Sequence, residues 1–340
     1  MAINRKLYLN ENHQLYLVEE GMPEPKENEV LIQIKANGIC GSDVHFFHEG
    51  RLGNFVVDRP YVPGHEASGV VVKNGSKAGI FQEGDRVVIE PGIPCGHCKL
   101  CKEGRYNLCP DVEFFSAPPI NGTFCDYICV NENFLFEIPD SLSFEDAALA
   151  EPAAVAIHAV RKAEFKAGAT GVIVGMGPIG LFTLQAFKAA GGGKAICLDI
   201  LESRLEKAVA FGADEVINTK TCDRELENIG DVVFETAGNK VTTAQLFDLA
   251  RPGGSVVQVG WPNGNIVEMN IAKMMDKELT YRGINRYANV FDTAVIWLED
   301  GRIPAKEMIT QRFPLSQAKE AFEWALNHPN ETIKVIVIND

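Results

Sequence analysis

Short β-type runs separated by turns dominate the N-terminal part of the chain. Val30 to Ala36, Gly69 to Val72 and Arg86 to Glu90 lie between Gly, Pro and charged residues, which predicts a mostly β domain over residues 1 to about 150. From about residue 170 the pattern changes. Val172 to Val174, Ile196 to Leu198, Val232 to Phe234 and Ser255 to Val259 alternate with helical segments, among them Ile179 to Ala190 and Ser203 to Phe211. Strand and helix in alternation cover both faces of a parallel sheet, so this half is predicted to be a doubly wound α/β domain. After Arg286 comes another amphipathic helix. The chain then closes on a β-type run, Ile333 to Ile338, suited to rejoining the first domain's sheet.

With 340 residues, 46% of them apolar, the chain can bury ample core in two or three domains. A net charge of −14, with the 32 basic residues gathered into no stripe, argues against nucleic acid and anionic lipid as partners. The N-terminus MAINRKLYLNENHQ has no apolar h-region. The most apolar stretch, Val172 to Ala190, is broken by Gly175, Gly177, Pro178 and Gly180, so neither secretion nor a membrane span is expected. Nine cysteines without an export signal point to metal ligands or buried thiols in a reducing compartment, the cytoplasm.

VIVGMGPIGLFTLQAFKAA carries Gly175, Gly177 and Gly180, with Pro178 and Ile179 among them, between a predicted strand and helix. Such glycines permit a tight turn and close backbone approach, so a pyrophosphate can rest on amides at the helix N-terminus. Asp199 closes the next predicted strand, where its carboxylate can accept from ribose hydroxyls and repel a 2′-phosphate, favouring NAD over NADP. Arg204 could pair with a phosphate, cover the adenine face or neutralise Asp199. A nucleotide-free domain that needs these glycines only for packing is the bland alternative.

Cys95, Cys98, Cys101 and Cys109 form C-x2-C-x2-C-x7-C in PCGHCKLCKEGRYNLCP. Four thiolates suit one tetrahedral zinc with a closed shell, hence a structural role. His97 as a replacement ligand and an iron–sulfur cluster are the minor alternatives. Cys125, Cys129, Cys197 and Cys222 read as small buried apolar residues.

Cys40 in GICGSDVH, His65 and Glu66 in GHEASG and Glu151 in AEPAAVAIHA are ligand-capable residues, each with a bland alternative as core, local hydrogen-bonding or helix-start residue. Together with the knuckle, the nucleotide fingerprint, ETAGN and RPGG, they resemble the zinc-containing medium-chain dehydrogenases over nearly the whole length. GRYNLCPD, FFSAPP, EPAAVAIHA and NRYAN resemble the sorbitol (polyol) dehydrogenase subfamily most.

The resemblance implies a GroES-like, mostly β catalytic domain over residues 1–152 and 287–340, with a structural zinc lobe at about 92–112, and a Rossmann domain over 153–286. It implies a catalytic zinc on Cys40, His65 and Glu151, with Glu66 hydrogen-bonded close by and a fourth position left open. Ser42 and His45 match the family's proton relay; their bland readings are a cap and a surface histidine. Arg286 and Tyr287 match the pair that binds polyol hydroxyls, and Phe114 the pocket wall. Phe46 stands where animal enzymes of the subfamily have tyrosine. The implied activity is zinc-dependent, NAD-linked oxidation of an acyclic polyol to a ketose by a homodimer or homotetramer with two zinc ions per subunit. The other readings are a related dehydrogenase acting on butanediol, threonine, a simple secondary alcohol or a polyol phosphate, and a zinc-stabilised NAD redox sensor.

Overall fold

The computed structural model describes residues 3–262 and 264–339. It divides into two units, Met1–Glu151 with Phe291–Asp340, and Pro152–Val290. The first is built on a mixed sheet ordered Leu135–Glu137, Arg86–Ile89, Glu66–Asn74, Glu29–Gly38, Lys334–Ile338 and Ile309–Pro314, with Tyr127–Asn131 also paired to Glu29–Gly38. The C-terminal run does return to this sheet: Ile336 pairs with Gly38 and Ile338 with Ala36, antiparallel. Fully buried Val30, Ile32 and Ile34, with Val87 and Ile89, form one core of the unit. Leu9, Tyr61, Phe124 and Phe322 anchor a second.

The second unit holds six parallel strands in the order Glu215–Asn218, Ala195–Asp199, Gly171–Val174, Gly230–Glu235, Ala250–Gln258 and Thr280–Gly283. In chain order this is 3-2-1-4-5-6, the doubly wound arrangement whose switch point lies at the carboxyl ends of the first and fourth strands. The four inner strands are those the apolar runs predict. The two edge strands, EVIN and TYRG, carry no such run, because an edge half-open to water needs no continuous apolar face. No helix among the described residues is long and apolar enough to cross a membrane.

Candidate active site

Cys40 is the N-cap of the helix Gly41–Glu49, and its backbone N–H donates to the Asp43 carboxylate at 3.1 Å. The sequence C-G-S-D thus folds as a capping box that holds the thiol at the helix mouth. His65 and Glu66 stand at the start of the strand Glu66–Asn74, where Glu66 pairs with Gly38. A β-carbon at Gly38 would lie 2.1 Å from Glu66 Oε2, so glycine there makes room for the carboxylate.

One donor atom each from Cys40, His65 and Glu66 fall within 4.8 Å of one another. Glu151, in the first turn of the helix Ala150–Ala163 and 4% exposed, is not part of that group, although its charge acts on both His65 and Lys334. The carboxylate the structure brings into the cluster is therefore Glu66, placed there by its strand register. His65 Nδ1 and Glu66 Oε2 are buried without a hydrogen-bond partner. An orphaned carboxylate oxygen in such a cluster is what a bound cation would satisfy, and sulfur, nitrogen and oxygen together are a zinc donor set. Burial opposes a charged His65, but the neighbouring Asp43, Cys40 and Glu151 hold its pKa well above the usual imidazole range. The acidic neighbours thus favour positive charge at His65.

Two residues given no role by sequence reasoning complete this cluster. Asp43, wholly buried, accepts from Cys40 N, from Gly64 N at 3.2 Å and from Ser116 Oγ at 2.7 Å, and lies 3.8 Å from His65 Nδ1. Lys334 Nζ donates to Glu66 Oε1 at 2.5 Å and to Ile39 O at 3.1 Å. Burial opposes its charge, but Glu66, Cys40 and Glu151 outweigh burial and raise its pKa. The aspartate in GSDVH was legible as a helix-start residue. Nothing local marks Lys334, in a strand of otherwise apolar residues.

Phe114 packs against His65 with ring centroids 5.5 Å apart. His45 Nδ1 lies 3.1 Å from Glu49 Oε1 on a partly exposed helix face, and Ser42 is half-buried one turn earlier. Phe46 is 3% exposed and meets Tyr61 edge-on at 6.2 Å within an apolar core, so its ring is engaged in packing.

The four knuckle sulfurs also lie within 4.8 Å of one another. A tetrahedral zinc with bonds of about 2.3 Å needs sulfurs about 3.8 Å apart, and Cys95 and Cys101 are at 4.0 Å, Cys98 and Cys101 at 3.4 Å. Backbone N–H groups of His97 and Cys98 bring the Cys95 thiol down to about 6. His97 is exposed, its Nδ1 2.8 Å from Cys95 O, and does not join the thiol group. Buried Cys125 and Cys197, by contrast, are raised to about 12, chiefly by burial.

In the second unit Gly177 caps the helix Pro178–Ala189, with Pro178 and Ile179 in its first turn. A β-carbon on Gly180 would meet Gly175 O at 1.8 Å, so glycine lets the helix cross the strand end. Asp199 closes its strand. It accepts from Met176 N at 2.6 Å, Ile200 N at 2.7 Å and Leu201 N at 2.9 Å, with the Arg204 guanidinium 3.9 Å away. The aspartate thus ties the glycine turn to the next strand. A groove of about 980 Å³ opens beside it, lined by Leu198, Ile200, Lys220, Val241, Thr242 and Gln245 among others. Glu235 of ETAGN is wholly buried and accepts from Ala237 N, Gly238 N, Thr242 Oγ1 and Gln258 Nε2, knitting the strand ends together. Arg286 takes a left-handed backbone, φ +54°, and Tyr287 is 3% exposed.

The alcohol dehydrogenase GroES-like domain matches residues 26–140, and the zinc-binding dehydrogenase family matches residues 178–300. The chain is 43% identical to sorbitol dehydrogenase of Bacillus subtilis over 93% of its length and 92% of that protein. It is 40% identical to D-xylulose reductase of Saccharomyces cerevisiae over 91% and 90% of the two chains. The crystal structure of L-idonate 5-dehydrogenase from Escherichia coli superposes with a TM-score of 0.94 at 32% identity, covering 99% and 98%. Fold, donor cluster, dinucleotide turn and relatives agree: this chain belongs to the zinc-containing medium-chain dehydrogenases, in the sorbitol dehydrogenase subfamily.

Proposed function

We propose that the protein is a zinc-dependent, NAD-linked polyol 2-dehydrogenase, reversibly oxidising a secondary hydroxyl of an acyclic sugar alcohol to a ketose. The convergence of a half-buried Cys40 thiol with buried His65 and Glu66 carries this reading. The polyol-directed names of the relatives give the substrate class.

Cys40, His65 and Glu66 hold the catalytic zinc, with Glu151 beside them, and the four knuckle cysteines hold a structural zinc. Bound zinc supplies Lewis acidity to a substrate hydroxyl. Asp43 and Lys334 orient the donors, and Phe114 walls the pocket at His65. Arg286 and Tyr287 hydrogen-bond further hydroxyls, which would leave buried groups unpaired with a simple alcohol and so discriminate against it. Phe46 lines the substrate side without the hydroxyl that tyrosine brings at this position in animal enzymes of the subfamily, which bears on the preference among polyols. The released proton leaves by Ser42 and His45. Gly175, Gly177 and Gly180, with Pro178 and Ile179, seat the cofactor's pyrophosphate at the helix N-terminus; Asp199 takes the ribose, steadied by Arg204. Residues 1–152 and 287–340 form the catalytic domain and 153–286 the cofactor domain. The protein works in the cytoplasm as a homodimer or homotetramer.

NAD reduction followed by absorbance against sorbitol, xylitol, ribitol, both arabitols, galactitol, butanediol, threonine and ethanol tests this, with NADP and chelator-treated controls. Selective, chelator-sensitive turnover of polyols with NAD is expected. Turnover of butanediol, threonine or ethanol alone would reassign the substrate, and faster reaction with NADP would overturn the role given to Asp199.

A further inference from the structure

The knuckle and the catalytic cluster are joined by a short piece of chain. It enters the knuckle through the strand Gly92–Ile93 and leaves through Glu113–Phe114, with Gly92 paired to Phe114 and Ile93 to Glu113. Phe115 N donates to Pro91 O at 3.0 Å, closing this clasp at its base. Inside the lobe, between Cys101 and Cys109, Tyr106 Oη donates to Glu90 Oε1 at 2.8 Å.

The same segment grips the catalytic cluster on its far side. Phe114 lies against the His65 ring. Two residues on, Ser116 is 2% exposed and donates through Oγ to Asp43 Oδ1, the carboxylate that also receives Cys40 N and Gly64 N. Ser116 holds a left-handed backbone, φ +68°. A non-glycine residue keeps that conformation only where its surroundings over-determine it. Here the clasp on one side and Asp43 on the other do so.

We propose that the closed knuckle positions the catalytic cluster through Phe114 and Ser116, so that the two centres bind metal cooperatively. This rests on the two-zinc reading above. An open knuckle releases the clasp, Ser116 relaxes, and Asp43 loses the donor that keeps it facing Cys40 and Gly64. Losing such an outer contact lowers metal affinity by about 10–100-fold. Linkage makes the effect reciprocal: filling the cluster tightens the knuckle by the same factor. Ser116 and Phe114 are positioning residues.

The test is metal binding to the full chain, by zinc competition against a chromogenic chelator and by cobalt absorption, which separates tetrathiolate from mixed-donor sites. Ser116→Ala, Cys98→Ser and the double variant are compared with the parent. Each single variant is expected to weaken the mixed-donor site at least about 10-fold and alter its cobalt bands. The double variant should lose no more than Cys98→Ser alone. An unchanged mixed-donor site in Cys98→Ser, or losses that simply add, would overturn the proposal. Should Cys98→Ser not fold, Ser116→Ala decides: cobalt at the cluster tightens zinc at the knuckle in the parent and must cease to do so in the variant. A parent that binds two ions independently sinks the coupling alone. A parent showing tetrathiolate bands only sinks the two-zinc reading with it.

Discussion

Lys334 reaches Glu66 from 268 residues away along the chain and places its ammonium against a wholly buried carboxylate. Removing one partner of a buried pair leaves the other charge uncompensated, a loss of about 3–5 kcal/mol. Lys334→Met is therefore expected to destabilise the metal-free protein by about that amount, and by clearly less when zinc is present to balance Glu66. Urea unfolding with and without zinc measures both; a loss under about 1 kcal/mol in the metal-free state would remove the pair from the account. Cys40, His65 and Glu66, each weak alone in its Gly-rich or small-residue setting, could be brought forward by resemblance to the family's motifs. Lys334 could not, since KVIVI reads only as a strand.

At the scale of elements, the helix Pro178–Ala189 and the strand Gly171–Val174 meet where Gly180 faces Gly175 O. A methyl group 1.8 Å from a backbone oxygen cannot be relieved by a rotamer change. Gly180→Ala is expected to destabilise the second unit by about 1–3 kcal/mol or more and to weaken NAD binding. Denaturant unfolding and quenching of protein fluorescence by NADH check the two effects. Parent-like values for both would mean that the helix can lift away freely. The glycine spacing made this junction legible. The edge strands Glu215–Asn218 and Thr280–Gly283 were not, because their half-open positions leave no continuous apolar signature.

For the whole molecule, Glu90 links acidity to stability. Burial raises its pKa from 4.5 to about 7, the Tyr106 hydrogen bond offsets part of the rise, and Asp292 and Glu151 add to it. Between these two values the folded state holds a proton that the unfolded state has lost, so stability falls as pH rises through that window. Glu90→Gln keeps an acceptor for Tyr106 and should flatten the slope between about pH 5 and 8. Urea unfolding at several pH values, parent against variant, reads the difference, and equal slopes would mean that Glu90 does not titrate there.

Resemblance to the family's motifs brought forward Cys40, His65, Glu66 and Glu151; the sequence by itself determined the two architectures, the glycine turn with its acidic partner and the four-thiol knuckle. Each of these is written in local periodicity or in spacings of a few residues, where helix and strand geometry alone decide which side chains meet. Only the tertiary structure decided that Glu66 rather than Glu151 joins Cys40 and His65, that Lys334 neutralises it, and that Asp43 and Ser116 tie the knuckle's exit to the donors. Those choices depend on strand register and on contacts spanning up to 268 residues. A one-residue slip of register reverses every side chain, and no local pattern encodes which distant partner waits on the other face.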